Sequence, residues 1–150
     1  MTLIHYFFED ISYKIVHPIK TKRWIRSLVN AEGFELNSIN FIFCSDEYLL
    51  QINREYLNHD YYTDIITFDN SESDREIEGD IFISLDRVFE NARSESIQEE
   101  EELRRVLAHG VLHLCGYDDH TDEEQSQMRA KENYYLQQFN KVVPRGTKLK

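Results

Sequence analysis

Apolar and polar positions recur along this chain with two different periods, and the switches between them outline its elements. Leu3 to Phe8 is β-rich and reads as a first strand. Pro18 then opens a helix that runs to about Ala31 and stops at Gly33. Ile19, Trp24, Ile25, Leu28 and Val29 form its expected buried side, and Lys20, Lys22, Arg23 and Arg26 make the other side basic. Asn40 to Ser45 reads as a second strand. The helix after it starts at about Asp46, with Leu49, Leu50, Ile52 and Leu57 as core positions. Thr63 to Phe68 is a third strand, and the polar loop Asn70 to Arg75 leads into a fourth, Ile77 to Ser84. A short helix, Asp86 to Arg93, precedes a longer one from about Glu99 to Cys115. Thr121-x-x-Glu124 is a capping box that starts a last helix, which runs to about Asn140 with Met128, Tyr135 and Phe139 as its apolar stripe.

That order predicts an α/β fold: one mixed sheet of four strands with about five helices packed on it. The third and fourth strands suit an antiparallel hairpin. The 150 residues read as a single domain, 1–150, large enough to bury a core without disulfides. Cys44 and Cys115 both sit in apolar surroundings and read as reduced core thiols of a cytoplasmic protein. The opening MTLIHYFFEDIS lacks the basic start and long apolar run of a signal peptide, and no apolar stretch is long enough for a membrane span. Pro144 marks the start of a tail. His5, inside the first strand, reads as structural.

The candidate chemistry lies in Val106 to His120, VLAHGVLHLCGYDDH. Seven of the ten residues from Val106 to Cys115 are apolar; the others are Gly110, His109 and His113. Spaced i and i+4, the two imidazoles lie one turn apart on one helix face, where both reach a single divalent ion. An apolar helix has no other ready use for two such rings, since each needs its own buried hydrogen-bond partner. Gly116 suits a helix stop. The chain then returns through Tyr117 and Asp118 to deliver Asp119 and His120, either of which completes a three-ligand site. Three protein ligands leave a position for water, the catalytic arrangement of zinc. Cys115, two residues past His113, points away from the histidine face. The spacing is zincin-like, close to HExxH, but the general base of that protease pattern is Gly110 here, which weakens a peptidase reading.

HGVLHLCGYDDH closely resembles the signature HGxLHLxGYDH of the YbeY-type family of bacterial endoribonucleases. The resemblance extends to TDIITF (Thr63 to Phe68), EGDIFIS (Glu78 to Ser84), Glu124 and Met128, and covers most of the chain. It implies an α/β fold with the two-histidine helix beside the sheet and a metal at the floor of a cleft. It also implies one zinc ion per chain and a zinc-dependent, single-strand-specific endoribonuclease of rRNA maturation, acting at the 3′ end of the small-subunit rRNA and in ribosome quality control. The implied partners are rRNA and the ribosome or its assembly factors, with no membrane and no small-molecule cofactor.

Two departures from that pattern matter. Aligned without gaps, Asp119 falls where the family has its third histidine, and His120 comes one residue late. Glu124 and Met128 keep their register only without an insertion, which favours Asp119 as third ligand and leaves His120 as the alternative; a carboxylate oxygen is an acceptable zinc donor. An aspartate would make the site one charge more negative than a histidine. Secondly, the position of an arginine often carried by the family is Leu57, with Arg54 one turn earlier on the expected helix.

Charge qualifies an RNA substrate. Seventeen basic against 28 acidic side chains give −11, which repels nucleic acid on average. The basic residues gather in Lys14 to Arg26 and in the tail from Lys141 to Lys150, so a basic helix with Trp24 exposed for stacking is one candidate RNA surface. Two other functions compete with the endoribonuclease: a metal-dependent hydrolase of another substrate class, such as peptide, and a non-catalytic ribosome-assembly factor with a structural metal.

Overall fold

The computed structural model describes residues 3–141. The expected tail after Pro144, with Arg145, Lys148 and Lys150, lies outside the described residues. The elements follow the expected order: β1 (Ile4–Phe8), α1 (Pro18–Ala31), β2 (Glu35–Cys44), α2 (Asp46–Leu57), β3 (Ile65–Asp69), β4 (Glu76–Ser84), α3 (Leu85–Glu95), α4 (Glu99–Leu114) and α5 (Asp122–Lys141). They form the expected four-stranded mixed sheet, with strand order β1-β2-β4-β3. β1, β2 and β4 run parallel, and β3 returns antiparallel along β4 as a hairpin, pairing Ile66 with Phe82.

β4 shows why this sheet has one deep core. Ile77, Ile81 and Ile83 alternate to one face and are fully buried with Ile39, Phe41 and Phe43 of β2. Helices α1, α3, α4 and α5 complete this cluster through Leu28, Val88, Leu107 and Phe139. The opposite face carries a smaller cluster, in which Leu49 of α2 packs on Cys44 and Ile66. Beyond it that face is polar: Asp80 accepts hydrogen bonds from Asn40 and Asn70 at 3.0 and 3.2 Å.

Three details depart from the expectations. β2 begins at Glu35, five residues before the apolar run at Asn40, because its first half pairs with β4 through a bulge at Leu36 to Ser38. Ile19 is 66% exposed: the buried stripe of α1 is Thr21, Trp24, Ile25, Leu28 and Val29, and at about 100° per residue Ile19 falls on the far side. Leu57 keeps the phase of the α2 stripe but is its last residue, belongs to neither cluster and is exposed. Of the two readings of Trp24, the buried one holds: it is only 1% exposed, and its indole N–H donates to the Tyr135 carbonyl at 2.6 Å. An indole spent on core packing cannot stack on bases, so the basic helix loses its proposed aromatic contact.

Candidate metal centre

α4 carries the two histidines because its two faces meet different neighbours. Gly110 sits against the sheet. A Cβ there would stand 2.8 Å from Ile65 Cδ1 and 3.0 Å from Ile81 Cγ2. The base position of the zinc-protease pattern is therefore filled by the sheet, and a glutamate has no room in it. His109 and His113 lie on the face turned towards α5. The helix stops one residue later in a Schellman motif: Gly116 takes a φ of 103° and donates to His113 O, while the Tyr117 amide donates to Leu112 O at 3.1 Å. This closure reverses the chain within Gly116 to Asp118. α5 then starts on the expected capping box, in which Thr121 and Glu124 exchange hydrogen bonds of 3.0 Å in both directions.

The short return brings Asp119 to the two imidazoles. His109 Nε2 lies 3.0 Å from His113 Nε2, and Asp119 Oδ2 lies 3.3 and 3.5 Å from those two nitrogens. Donors bound to tetrahedral zinc at about 2.0–2.2 Å stand about 3.3 Å apart, so the triangle has the size such an ion requires. The donor chemistry fits as well. Glu132 Oε2 lies 2.7 Å from His109 Nδ1, and an ionised carboxylate only accepts, so Nδ1 carries the proton and Nε2 presents its lone pair. Two ring nitrogens 3.0 Å apart with one lone pair so fixed need a shared proton or a cation between them. His120 is exposed and outside this cluster; its backbone N–H donates to Glu124. Cys115 is likewise not in the cluster, and burial pushes its thiol up to about 12.

Glu132 is the first of the residues that sequence reading missed. It is buried on α5 and also accepts from Arg105 at 3.0 Å, while Arg105 donates to Asn133. Burial alone would raise its carboxyl, but the His109 and Arg105 hydrogen bonds hold it below the ordinary range. Burial would likewise depress His109, yet the Glu132 hydrogen bond and charge, with Asp119 and Asp64 behind them, hold the imidazole above its usual value. A signal existed: Met128, Glu132, Tyr135 and Phe139 are spaced by four, three and four, so a lone acid stands in an apolar stripe.

A cavity of ≈ 940 Å³ opens beside His109 and Asp119, lined also by Asp64, Glu102, Arg105 and Arg129. Burial pushes the Asp64 and Glu102 carboxyls up. Glu102 shares the α4 face of Val106, His109 and His113, again at helical spacing. The return loop is anchored from behind by Glu32, whose carboxylate accepts from Tyr117 at 2.7 Å, from Lys131 at 3.3 Å and from Tyr135. The arginine question has a plain outcome: Leu57 is exposed, and Arg54 is bound 2.6 Å from Asp60.

The comparisons with known proteins agree on one relationship. A family model described as Endoribonuclease YbeY matches residues 8–140. The chain is 53% identical to an Endoribonuclease YbeY of Cytophaga hutchinsonii, covering 89% of this chain and 93% of that one. It is 41% identical to one of Porphyromonas gingivalis over 95% and 94% of the two chains. The fold resembles the solution structure of TM1509 from Thermotoga maritima, with a TM-score of 0.66 and 27% identity over 97% of this chain and 99% of that one.

Proposed function

The chain belongs to the YbeY endoribonuclease family, and from that premise we propose that it cleaves RNA with a zinc ion held by His109, His113 and Asp119. It is a hydrolytic endoribonuclease, and the domain 1–150 serves that one activity in rRNA maturation. The observation that carries the metal assignment is the 3.0–3.5 Å triangle of two histidine nitrogens and one aspartate oxygen. A divalent ion bound there supplies Lewis-acid polarisation of a phosphoryl oxygen and makes water more acidic.

The protein's own residues do the rest. Glu132 keeps the proton on His109 Nδ1, which fixes the tautomer and the ring orientation. Arg105 holds Glu132 in turn, so the carboxylate stays ionised although buried. Asp64 and Glu102, raised by burial, are the carboxyls of the cavity best disposed to hold and release a proton beside the reacting phosphate. Peptide hydrolysis loses its base, because Ile65 and Ile81 fill the space at Gly110. Among the described residues no helix is long and apolar enough to cross a membrane. The reading extends to action in the cytoplasm on the 3′ end of small-subunit rRNA, with the ribosome or its assembly factors as partners.

The test is cleavage of single-stranded rRNA fragments by zinc-loaded protein and by His113→Ala. The wild type should cut, a chelator should stop it, and the variant should be inactive. Chelator-sensitive cleavage of unfolded polypeptide with the RNA left intact would overturn the assignment.

A further inference from the structure

The last turn of α2 and the loop from it to β3 leave an unusual set of rings in solvent. Tyr56, Tyr61 and Tyr62 are 66%, 52% and 48% exposed, within a seven-residue stretch that also exposes Leu57. These rings are not on a loose loop. Asn53 is buried, and its side-chain amide donates to the Tyr61 carbonyl at 2.9 Å while its own carbonyl accepts the His59 amide at 3.1 Å. The Tyr61 ring stacks on His59 at 5.1 Å and 21°, with its hydroxyl 3.0 Å from His59 Nδ1. The Tyr62 hydroxyl donates to Glu47 at 2.5 Å. Tyr56 sets its ring edge-on to Phe68 at 6.0 Å. Each ring is held by its neighbours while much of its surface stays in water, which the hydrophobic effect alone does not favour.

The nearby cations are already paired. Arg54 is bound to Asp60 at 2.6 Å and Arg87 to Asp46 at 2.7 Å. With a net charge of −11 the chain as a whole offers a polyanion little electrostatic attraction; here it offers half-exposed rings instead, with Arg87 lying 5.6 Å over the Tyr62 ring and His59 covering one side of Tyr61. Its last ring also lies close to the metal centre along the chain. Tyr62 is two residues from Asp64, a span of at most about 7 Å, and Asp64 lines the cavity shared with His109 and Asp119.

We propose that Tyr61 and Tyr62 form a platform on which unpaired bases of the RNA substrate stack, so that the strand enters the metal cavity past Asp64. This rests on the endoribonuclease reading. Held rings suit the task, since little side-chain freedom remains to be lost on binding, and stacking tolerates any base because every base has a π-face.

The test uses the full-length zinc-loaded protein and a short fluorescent single-stranded RNA in a cleavage-resistant backbone, with binding read by anisotropy. Tyr61→Ala and Tyr62→Ala should each weaken binding by on the order of tenfold, and Tyr61→Phe and Tyr62→Phe should restore most of it. The same strand with abasic sites should bind as poorly as the alanine variants do. The salt dependence should be shallow, with a slope of magnitude below about 2. Alanine variants that bind like wild type, or an abasic strand that binds like the intact one, would overturn the platform. Cleavage of unmodified RNA by the same wild-type preparation separates the two claims. If it cuts RNA while the alanine variants bind normally, only the platform falls; if it neither binds nor cuts RNA, both fall.

Discussion

The two faces of α4 are built on opposite terms. On one, Gly110 brings the helix backbone so close to Ile65 and Ile81 that a methyl group would have to displace them. On the other, His109 lines the cavity and His113 lies against it, both positioned by hydrogen bonds and charge rather than by close packing. Packing tolerates no added volume, and the polar face tolerates no unpaired partner. The helix can therefore fix its two histidines by pressing its back against the sheet, while α5 and the return loop bring Glu132 and Asp119 to them from the front.

Substitutions on each face should fail differently. Gly110→Glu restores the acid of the zinc-protease pattern but buries a charge and several atoms against Ile65 and Ile81. Its expected cost is about 4 kcal/mol or more, measured by urea denaturation, with no peptidase activity gained. A stable Gly110→Glu protein would show that the tight face is not tight. Glu132→Gln leaves the packing in place and removes the charged acceptor of His109 Nδ1. Zinc affinity should fall about 10–100-fold, read by competition with a chromophoric chelator, and the metal-free fold should persist. An unchanged affinity would remove Glu132 from the account of the polar face.

The smallest effect is expected behind the site. Hydrogen bonds from Tyr135 and Tyr117 and the Lys131 charge outweigh burial and hold the Glu32 carboxyl below its ordinary value. A depressed carboxylate contributes stability that is fully present above the unfolded pKa of about 4.3 and is lost as pH falls through the lower folded value. Glu32→Gln should therefore cost about 1.5 kcal/mol at neutral pH, and the gap to wild type should close in acid. Melting curves across that range check the sign: a gap that widens in acid contradicts it.

How much of this was legible in the sequence follows the same division. The tight side of the fold was read well, because burial imposes periodicity: Ile77, Ile81 and Ile83 alternate, and Leu28 and Val29 follow the helical stripe. The readings failed where an apolar residue sits on no neighbour, as at Ile19 and Leu57, and of the two readings of Trp24 the buried one held and the exposed one did not. Of the polar face, His109, His113 and the return after Gly116 were visible as spacing around a glycine stop, while the preference for Asp119 over His120 came from register against the family signature. Glu132 showed only as a lone acid in an apolar stripe, and Asp64 and Glu32 showed not at all, because their partners are distant in sequence and only the fold joins them. Glu132 reaches His109 across 23 positions and Glu32 reaches Tyr117 across 85. Strand order escaped for the same reason, since β4 pairs with β2 and not only with its sequence neighbour.

The claim at the centre of this account is that Asp119, not His120, closes the triangle on the two histidines. Zinc titration of Asp119→Ala and His120→Ala, side by side with wild type, tests it most directly. Wild type should bind about one zinc per chain. Asp119→Ala should lose affinity by orders of magnitude, since its Oδ2 is the oxygen set 3.3 and 3.5 Å from the imidazole nitrogens. His120→Ala should bind nearly as wild type does, because that side chain is exposed and outside the cluster. Loss of zinc from the His120 variant, with the Asp119 variant still loaded, would make this a three-histidine site and contradict the account.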